Sequence, residues 1–102
     1  MAAVALALLA GCAPDSFRRN PEFEAWIGEV RQACYRERIG VNTVGGLLGR
    51  TGSREGNHFL NETSRLHAGM ITPEQWTTRV LAFISGRRTD PGLQCVLARL
   101  PE

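Results

Sequence analysis

Three prolines, each directly after a residue type that caps helices, constrain the fold of this chain more than any other feature. They are Pro21 after Asn20, Pro73 after Thr72 and Pro91 after Asp90. Side chains of Asn, Thr and Asp accept hydrogen bonds from the unpaired N–H groups of a helix's first turn, and proline fits its first position. The sequence therefore predicts that helices begin at these three places.

Apolar residues at helical spacing follow the first and the last of these starts and predict the faces that the two helices bury. In the first helix they are Phe23, Trp26, Ile27, Val30 and Cys34. In the last helix they are Leu93, Val96, Leu97 and Leu100, with Cys95 in the same segment. Each set forms one apolar stripe, which predicts that both helices pack against a common core.

The helix that begins at Thr72 carries the strongest start signal. Thr72 and Gln75 form a capping box, in which each side chain accepts a hydrogen bond from the other residue's backbone, and Ile71 can pack against Trp76. Its inner face is expected to comprise Trp76, Val80, Phe83 and Ile84. We expect the helix to end at Ser85-Gly86.

Two further helices are predicted between the first helix and Thr72. The glycine-rich residues 39–52 predict a short helix capped by Asn42 or Thr43, whose glycines let another helix approach closely. A longer helix is predicted from about residue 53 to residue 69. Its inward side chains are expected to be Phe59, Leu60, Thr63, Leu66 and Met70. No alternation of period two competes, so the predicted fold is an all-α bundle of four or five short helices.

The N-terminal stretch has a different pattern. It is apolar over residues 2–10 and closes in Leu9-Ala10-Gly11-Cys12. A membrane-spanning helix needs about 20 apolar residues, so this run is too short to span. The motif resembles the lipobox of bacterial lipoproteins, in which a signal peptidase cuts before the cysteine and acyl chains are attached to it. The resemblance implies that Cys12 anchors the protein to a membrane.

The same resemblance divides the chain and implies a location. The implied segments are a signal peptide over residues 1–11, a flexible tether over residues 12–20 and a helical domain over residues 21–102. In Gram-negative lipoproteins an aspartate after the cysteine favours the inner membrane, and here that residue is Ala13. The resemblance therefore implies the cell envelope, at the outer membrane and facing the periplasm.

Two cysteines remain once Cys12 carries lipid. An exported compartment is oxidising, so Cys34 and Cys95 predict one disulfide, which would join the first helix to the last. The alternative is a reactive or metal-binding thiol, but the chain has no CxxC motif, and its histidines are His58 and His67. Nine residues apart, these lie on opposite faces of one helix. We therefore predict no metal site and no cofactor.

The charged and polar residues show no set typical of catalysis. No Asp or Glu is placed to orient a histidine beside a serine, and the glycines at 45 and 49 are too close together for a P-loop. Carboxylates that could act on cell wall fall on the polar side of the first helix, at Glu22, Glu24 and Glu29. Twelve arginines are interspersed with ten acidic residues, for a net charge of +2, and aromatic residues are sparse. We expect neither an enzyme nor a nucleic-acid-binding protein.

Two resemblances within the helical domain bear on function. Residues 66–86 look like the helix-turn-helix of the short C-terminal domain found in many bacterial proteins, a family associated with oligomerisation. Trp26, Cys34, Cys95 and the glycine-rich connection are similar to small helical periplasmic immunity proteins, which block cell-wall amidases delivered by rival bacteria. The first resemblance implies a homo-oligomer, and the second implies an amidase as the partner.

The leading expectation is a lipid-anchored, periplasm-facing helical module that binds another protein. The alternatives are a structural envelope lipoprotein that acts by self-association and an immunity-type inhibitor of a cell-wall amidase. Exposed side chains that are candidates for the partner surface are Arg50, Arg54, His58 and Arg65.

Overall fold

The computed structural model describes residues 20–50 and 52–101. Within them five helices form a small bundle with one disulfide, so the predicted all-α fold is confirmed. The helices are α1 (Pro21–Cys34), α2 (Val44–Gly49), α3 (Arg54–His67), α4 (Pro73–Leu81) and α5 (Pro91–Ala98). The predicted signal peptide, Cys12 and nearly all of the predicted tether lie outside the described residues. None of the described helices has the length and apolar character that a membrane span requires.

Capping residues start the helices largely as predicted. The side chains of Asn20, Thr43 and Ser53 each accept a hydrogen bond from the backbone N–H three residues later. Thr72 forms the predicted capping box of α4. Asp90 occupies the N-cap position of α5, but its side chain makes no capping hydrogen bond. The predicted capping role of Asp90 is therefore wrong, because its carboxylate bonds to the backbone elsewhere at this end of the bundle.

The first and last helices lie antiparallel and are joined at two points. The predicted disulfide links Cys34 and Cys95, whose Cα atoms are 5.8 Å apart. Two turns earlier in α1, the indole N–H of Trp26 donates a hydrogen bond of 2.7 Å to the carbonyl oxygen of Arg99. Because the early residue of α1 meets the residue after α5, and the last residue of α1 meets the middle of α5, the two helices run in opposite directions.

A second antiparallel pair is formed by α3 and α4. The buried indole N–H of Trp76 donates a hydrogen bond of 3.1 Å to the hydroxyl of Thr63. The end of α3 rests on α1, where the ring of His67 lies 4.9 Å from that of Trp26. The apolar core joins all of these elements, and its fully buried side chains include Phe23, Val30, Ile39, Val44, Leu47, Phe59, Trp76, Val80, Ile84, Leu93 and Val96.

These contacts give the bundle two ends. The near end, defined as residues 20–26, 66–72 and 98–101, contains the start of α1 and the turn between α3 and α4. The far end, defined as residues 35–50, 52–58 and 82–92, contains the start of α3 and the loop between α4 and α5. Helix α1 runs from the near end to the far end.

The far end holds a two-stranded antiparallel sheet that the sequence did not predict. Its strands, β1 (Arg38–Ile39) and β2 (Asn42–Thr43), are joined by Gly40 and Val41. Strands of two residues are too short to show alternation, so the pattern on which strand prediction rests is missing. Gly40 has a φ of +62° and Val41 has no positive φ. This combination is that of a type II′ turn, in which glycine takes the first central position.

Two side chains expected to face inward are exposed. Met70 is 65% exposed and Phe83 is 42% exposed. Both residues come after their helix has ended, since α3 stops at His67 and α4 stops at Leu81. Beyond a helix end, helical spacing no longer predicts where a side chain points. The expected end of α4 at residues 85 and 86 was placed too late for the same reason.

Glycines do allow close approach, but not in the way expected from the glycine-rich helix. At Gly45 of α2 there is no room for a Cβ because the ring of Tyr35 packs there. The close contact between helices occurs instead at Gly56 of α3, where a Cβ would lie 2.8 Å from the carbonyl oxygen of Leu47. Helices α2 and α3 therefore meet through a glycine of the longer helix.

Removing the disulfide should lower stability strongly. The bridge closes a loop with a sequence separation of 61 residues. We expect the double substitution Cys34→Ala and Cys95→Ala to lower the free energy of unfolding by about 4 kcal/mol, because the unfolded chain regains the entropy of that loop. Denaturant titration of the purified full chain measures the loss. Reductant should destabilise the parent similarly and leave the variant unchanged, whereas a variant as stable as the oxidised parent would contradict the prediction.

Candidate functional site

Exposed hydrophobic side chains are concentrated at the far end. Among the described residues, the large exposed hydrophobic side chains are Tyr35, Val41, Met70 and Phe83. Three of these four lie at the far end, whereas Met70 lies at the near end. Single exposed hydrophobic residues are normal on protein surfaces, and it is the presence of three at one end that singles out this end. The far end is therefore the candidate functional site.

The tip of the hairpin presents the most exposed of these side chains. Val41 occupies the second central position of the turn and is 86% exposed. The backbone beneath it is tightly seated, because a Cβ at Gly40 would collide with the carbonyl oxygen of Ser85. A shallow depression of about 370 Å³ beside the tip is lined by Gly40, Val41, Ser85, Gly86, Arg87 and Asp90. The turn therefore holds an apolar side chain in a defined position on the surface.

A carboxylate fastens the hairpin to the loop between α4 and α5. Oδ2 of Asp90 accepts hydrogen bonds from the backbone N–H of Gly40 at 2.7 Å and from that of Arg87 at 3.0 Å. The N–H groups of Arg87 and Gly40, together with the positive charge of Arg87, hold the pKa of Asp90 below its ordinary value of 3.8. The ionised side chain thus joins two segments that are 50 residues apart in the chain.

Phe83 is packed between side chains of α3 rather than left loose. The ring of His58 stacks on it with a centroid distance of 4.5 Å, and the guanidinium carbon of Arg54 lies 5.0 Å from its centroid. Nε2 of His58 also lies 2.7 Å from the carbonyl oxygen of Arg79. A carbonyl oxygen can only accept, so Nε2 of His58 carries the proton. These contacts hold both Phe83 and Arg54 in place.

Most of the far-end arginines make no ion pair. Along the side of the bundle, Arg65 and Arg79 both bind Glu62, at 2.7 and 3.5 Å. From the far end, Arg88 reaches back along α4 to Glu74 at 2.8 Å. At the far end, the other arginines make no ion pair with any carboxylate of residues 20–50 or 52–101; they are Arg36, Arg38, Arg50, Arg54 and Arg87. These five cations outnumber the three carboxylates there, which belong to Glu37, Glu55 and Asp90.

The four residues that the sequence suggested for the partner-binding surface do not all lie together. Arg50, Arg54 and His58 lie at the far end, where Arg50 bonds to the side-chain oxygen of Asn42 at 2.9 Å. Arg65 lies outside the far end, on the side of the bundle, where it forms an ion pair with Glu62.

Four residues of this surface were missed or misplaced by sequence reasoning. Val41 had no assigned role, although a glycine before it is the signal of a type II′ turn. Phe83 was expected in the core and Asp90 was expected to cap α5. Arg87 also had no assigned role. Contacts between distant segments create this surface, and helical periodicity carries no information about them.

The described residues contain no cluster of His, Cys, Asp or Glu side chains that could hold a metal ion. Comparison with family models, with curated proteins and with solved structures finds no match to this chain. Its function must therefore be inferred from the arrangement of its own residues.

The link made by Asp90 should give the fold a pH dependence of predictable sign. The folded-state pKa of Asp90 lies below 3.8, so the carboxylate contributes stability above that pH and loses it as the pH falls through the folded-state pKa. We expect Asp90→Asn to lower the thermal unfolding midpoint at pH 7 and the difference from the parent to vanish in strong acid. Unfolding scans between pH 7 and pH 2 measure this.

A matched control is Glu24→Gln, which changes an exposed carboxylate in the first turn of α1. Glu24→Gln should not lower the thermal unfolding midpoint at pH 7 by an amount that becomes smaller in acid. A difference between Asp90→Asn and the parent that stays constant down to pH 2 would contradict the assigned role.

Proposed function

We propose that this chain is a lipid-anchored, non-enzymatic module of the bacterial cell envelope that binds another protein through its far end. The observation that carries the proposal is the grouping of Tyr35, Val41 and Phe83 with arginines that have no ion pair in the described fold. Tyrosine, phenylalanine and arginine are enriched at protein interfaces, and aromatic and arginine side chains supply most binding hot spots.

The lipid anchor proposed at Cys12 would hold the near end at the membrane and direct the far end away from it. Eight residues separate Cys12 from the start of α1 at Pro21. A stretch of that length spans at most about 29 Å, so the near end would stay close to the membrane. Helix α1 then leads about 21 Å away from its N-terminus toward the far end. An outer-membrane anchor would in this way present the far end to the periplasm.

The polar groups of the far end support binding rather than catalysis. Oδ2 of Asp90 holds two backbone N–H groups, and Nε2 of His58 holds a carbonyl oxygen. Asp90 and His58, two of the far-end side chains that could act as an acid or a base, therefore position the surface. A general base needs a free position within hydrogen-bond reach of its substrate.

An immunity-type inhibitor of a cell-wall amidase is a narrower form of this proposal. The feature that favours it is the Cys34–Cys95 bridge between the first and last helices. That arrangement is the one on which the resemblance to small periplasmic immunity proteins rests. Binding of the full chain to a purified amidase, with loss of its activity, would be the specific test.

Acylation of Cys12 is the first testable part. We expect the full chain, produced in a Gram-negative host, to incorporate labelled palmitate and to fractionate with membranes, because two or three acyl chains give stable anchoring. Cys12→Ala should abolish both. Cys95→Ala is the matched control and should retain the label. Label on the Cys12→Ala chain, or none on the parent, would refute the anchor.

Binding through the far end is the second testable part. Val41 is replaced by the photocrosslinking residue benzoylphenylalanine in the full chain, expressed in the bacterium that makes it. We expect illumination to give one adduct of defined mass, because Val41 is the most exposed apolar side chain of the far end. The same replacement at Met70 is the matched control, since Met70 is equally apolar but lies at the near end. Adducts only from Met70, or equal yields from both, would refute the proposal.

A further inference from the structure

We propose that the far end binds an acidic protein surface, in which an apolar recess receives Val41 and carboxylates pair with Arg54 and Arg87. This inference rests on the proposed function and adds the chemistry of the partner. It is carried by three independent features of the far end, namely a pre-formed apolar tip, arginines that the fold leaves without ion pairs, and the way charge is distributed around them.

The apolar contact point is formed before any partner arrives. The type II′ turn fixes the backbone at Gly40 and Val41, and Asp90 and Ser85 hold that turn against the loop beneath it. A side chain displayed on an ordered turn loses little conformational entropy on binding, which raises affinity without new contacts. One protruding valine requires a recess on the partner rather than a flat surface.

The arginine contacts are also pre-arranged. Arg54 is held over the ring of Phe83 at 5.0 Å, yet it makes no ion pair or hydrogen bond with the described residues. Arg87 lines the same depression as Val41, and the nearby carboxylate of Asp90 already accepts two backbone N–H groups. Guanidinium groups form two parallel hydrogen bonds with a carboxylate. Carboxylates of a partner would form the ion pairs that Arg54 and Arg87 lack within the described fold.

The charge distribution argues against a second copy of this chain as the occupant. Two copies related by a two-fold axis would bring the same surface face to face, and on that surface the arginines outnumber the carboxylates. Like charges facing across an interface suppress binding. A partner with the opposite charge meets no such penalty.

The same distribution argues against an anionic membrane. The carboxylates of Glu37, Glu55 and Asp90 share the far end with the arginines, and a uniformly negative lipid surface would repel them. A protein surface can place its carboxylates opposite the arginines alone. The proposed anchor also holds the opposite end of the bundle at the membrane.

The experiment measures the yield of the Val41 photocrosslink in living cells after a charge reversal. Arg54→Glu is the main variant, because residue 54 is the first of α3 and an acidic residue is favourable at a helix N-terminus. We expect the adduct yield to fall about tenfold, since reversing one charge of a close pair across an interface costs at least that much. Arg87→Glu should act in the same direction.

Two matched variants separate charge from folding. Arg99→Glu makes the same change of net charge at the near end and should leave the yield unchanged. Arg54→Lys keeps the charge but not the two parallel hydrogen bonds, so its yield should lie between those of the parent and of Arg54→Glu. Thermal unfolding midpoints within a few degrees of the parent show that each variant is folded. Once the crosslinked peptide is identified, replacing its acidic residue by lysine should restore the adduct with Arg54→Glu.

The outcomes distinguish this inference from the proposed function. No adduct from Val41 in the parent chain would refute both. An adduct with a different protein that Arg54→Glu and Arg87→Glu leave unchanged would overturn the acidic partner and leave the binding function standing. An adduct with the mass of two chains would make a second copy the occupant. If the Cys12→Ala chain sediments with phosphatidylglycerol vesicles and this depends on Arg54 and Arg87, the occupant would be a lipid surface. A dimer adduct or this vesicle binding would each overturn the inference.

Discussion

The covalent link between Cys34 and Cys95 positions the elements of the far end. It holds the last turn of α1 beside the middle of α5, and β1 begins four residues after Cys34. The first turn of α5 then lies directly against β1, where a Cβ at Gly92 would be 2.8 Å from the carbonyl oxygen of Arg38. Because the hairpin cannot move away from α5, its tip stays against the loop that connects α4 to α5.

Polar contacts, rather than a second hydrophobic core, order the surface beyond that link. Asp90 binds the backbone of the hairpin and of the loop, and His58 joins α3 to the end of α4 while stacking on Phe83. The hydrogen bonds of the Asp90 carboxylate are charge-assisted, and all of these bonds are directional, so they fix geometry where little apolar area is buried. The exposed apolar side chains consequently sit on an ordered surface, as recognition of a defined partner requires.

Two groups of arginines have different physical roles in this small bundle. Arg65 and Arg79 neutralise Glu62, a carboxylate only 6% exposed, which would be strongly destabilising if left unpaired. At the far end, Arg88 pairs with Glu74, whereas Arg36, Arg38, Arg50, Arg54 and Arg87 have no ion pair among the described residues. The far end therefore differs from the face around Glu62 in carrying more arginines than the carboxylates of the described fold neutralise.

The sequence by itself determined the helices, because capping residues, prolines and helical spacing are local signals that act within one or two turns. Asn20 and Thr72 illustrate this, because each caps in the structure the helix that its neighbours predicted. The disulfide was predicted differently, from the two cysteines that remain when Cys12 is set aside. Which side chains form the far-end surface, and where they point, was decided only by the tertiary structure. Whether Phe83 is buried, what Asp90 binds and where Val41 points depend on segments brought together from distant parts of the chain, and periodicity along one helix contains no information about such contacts.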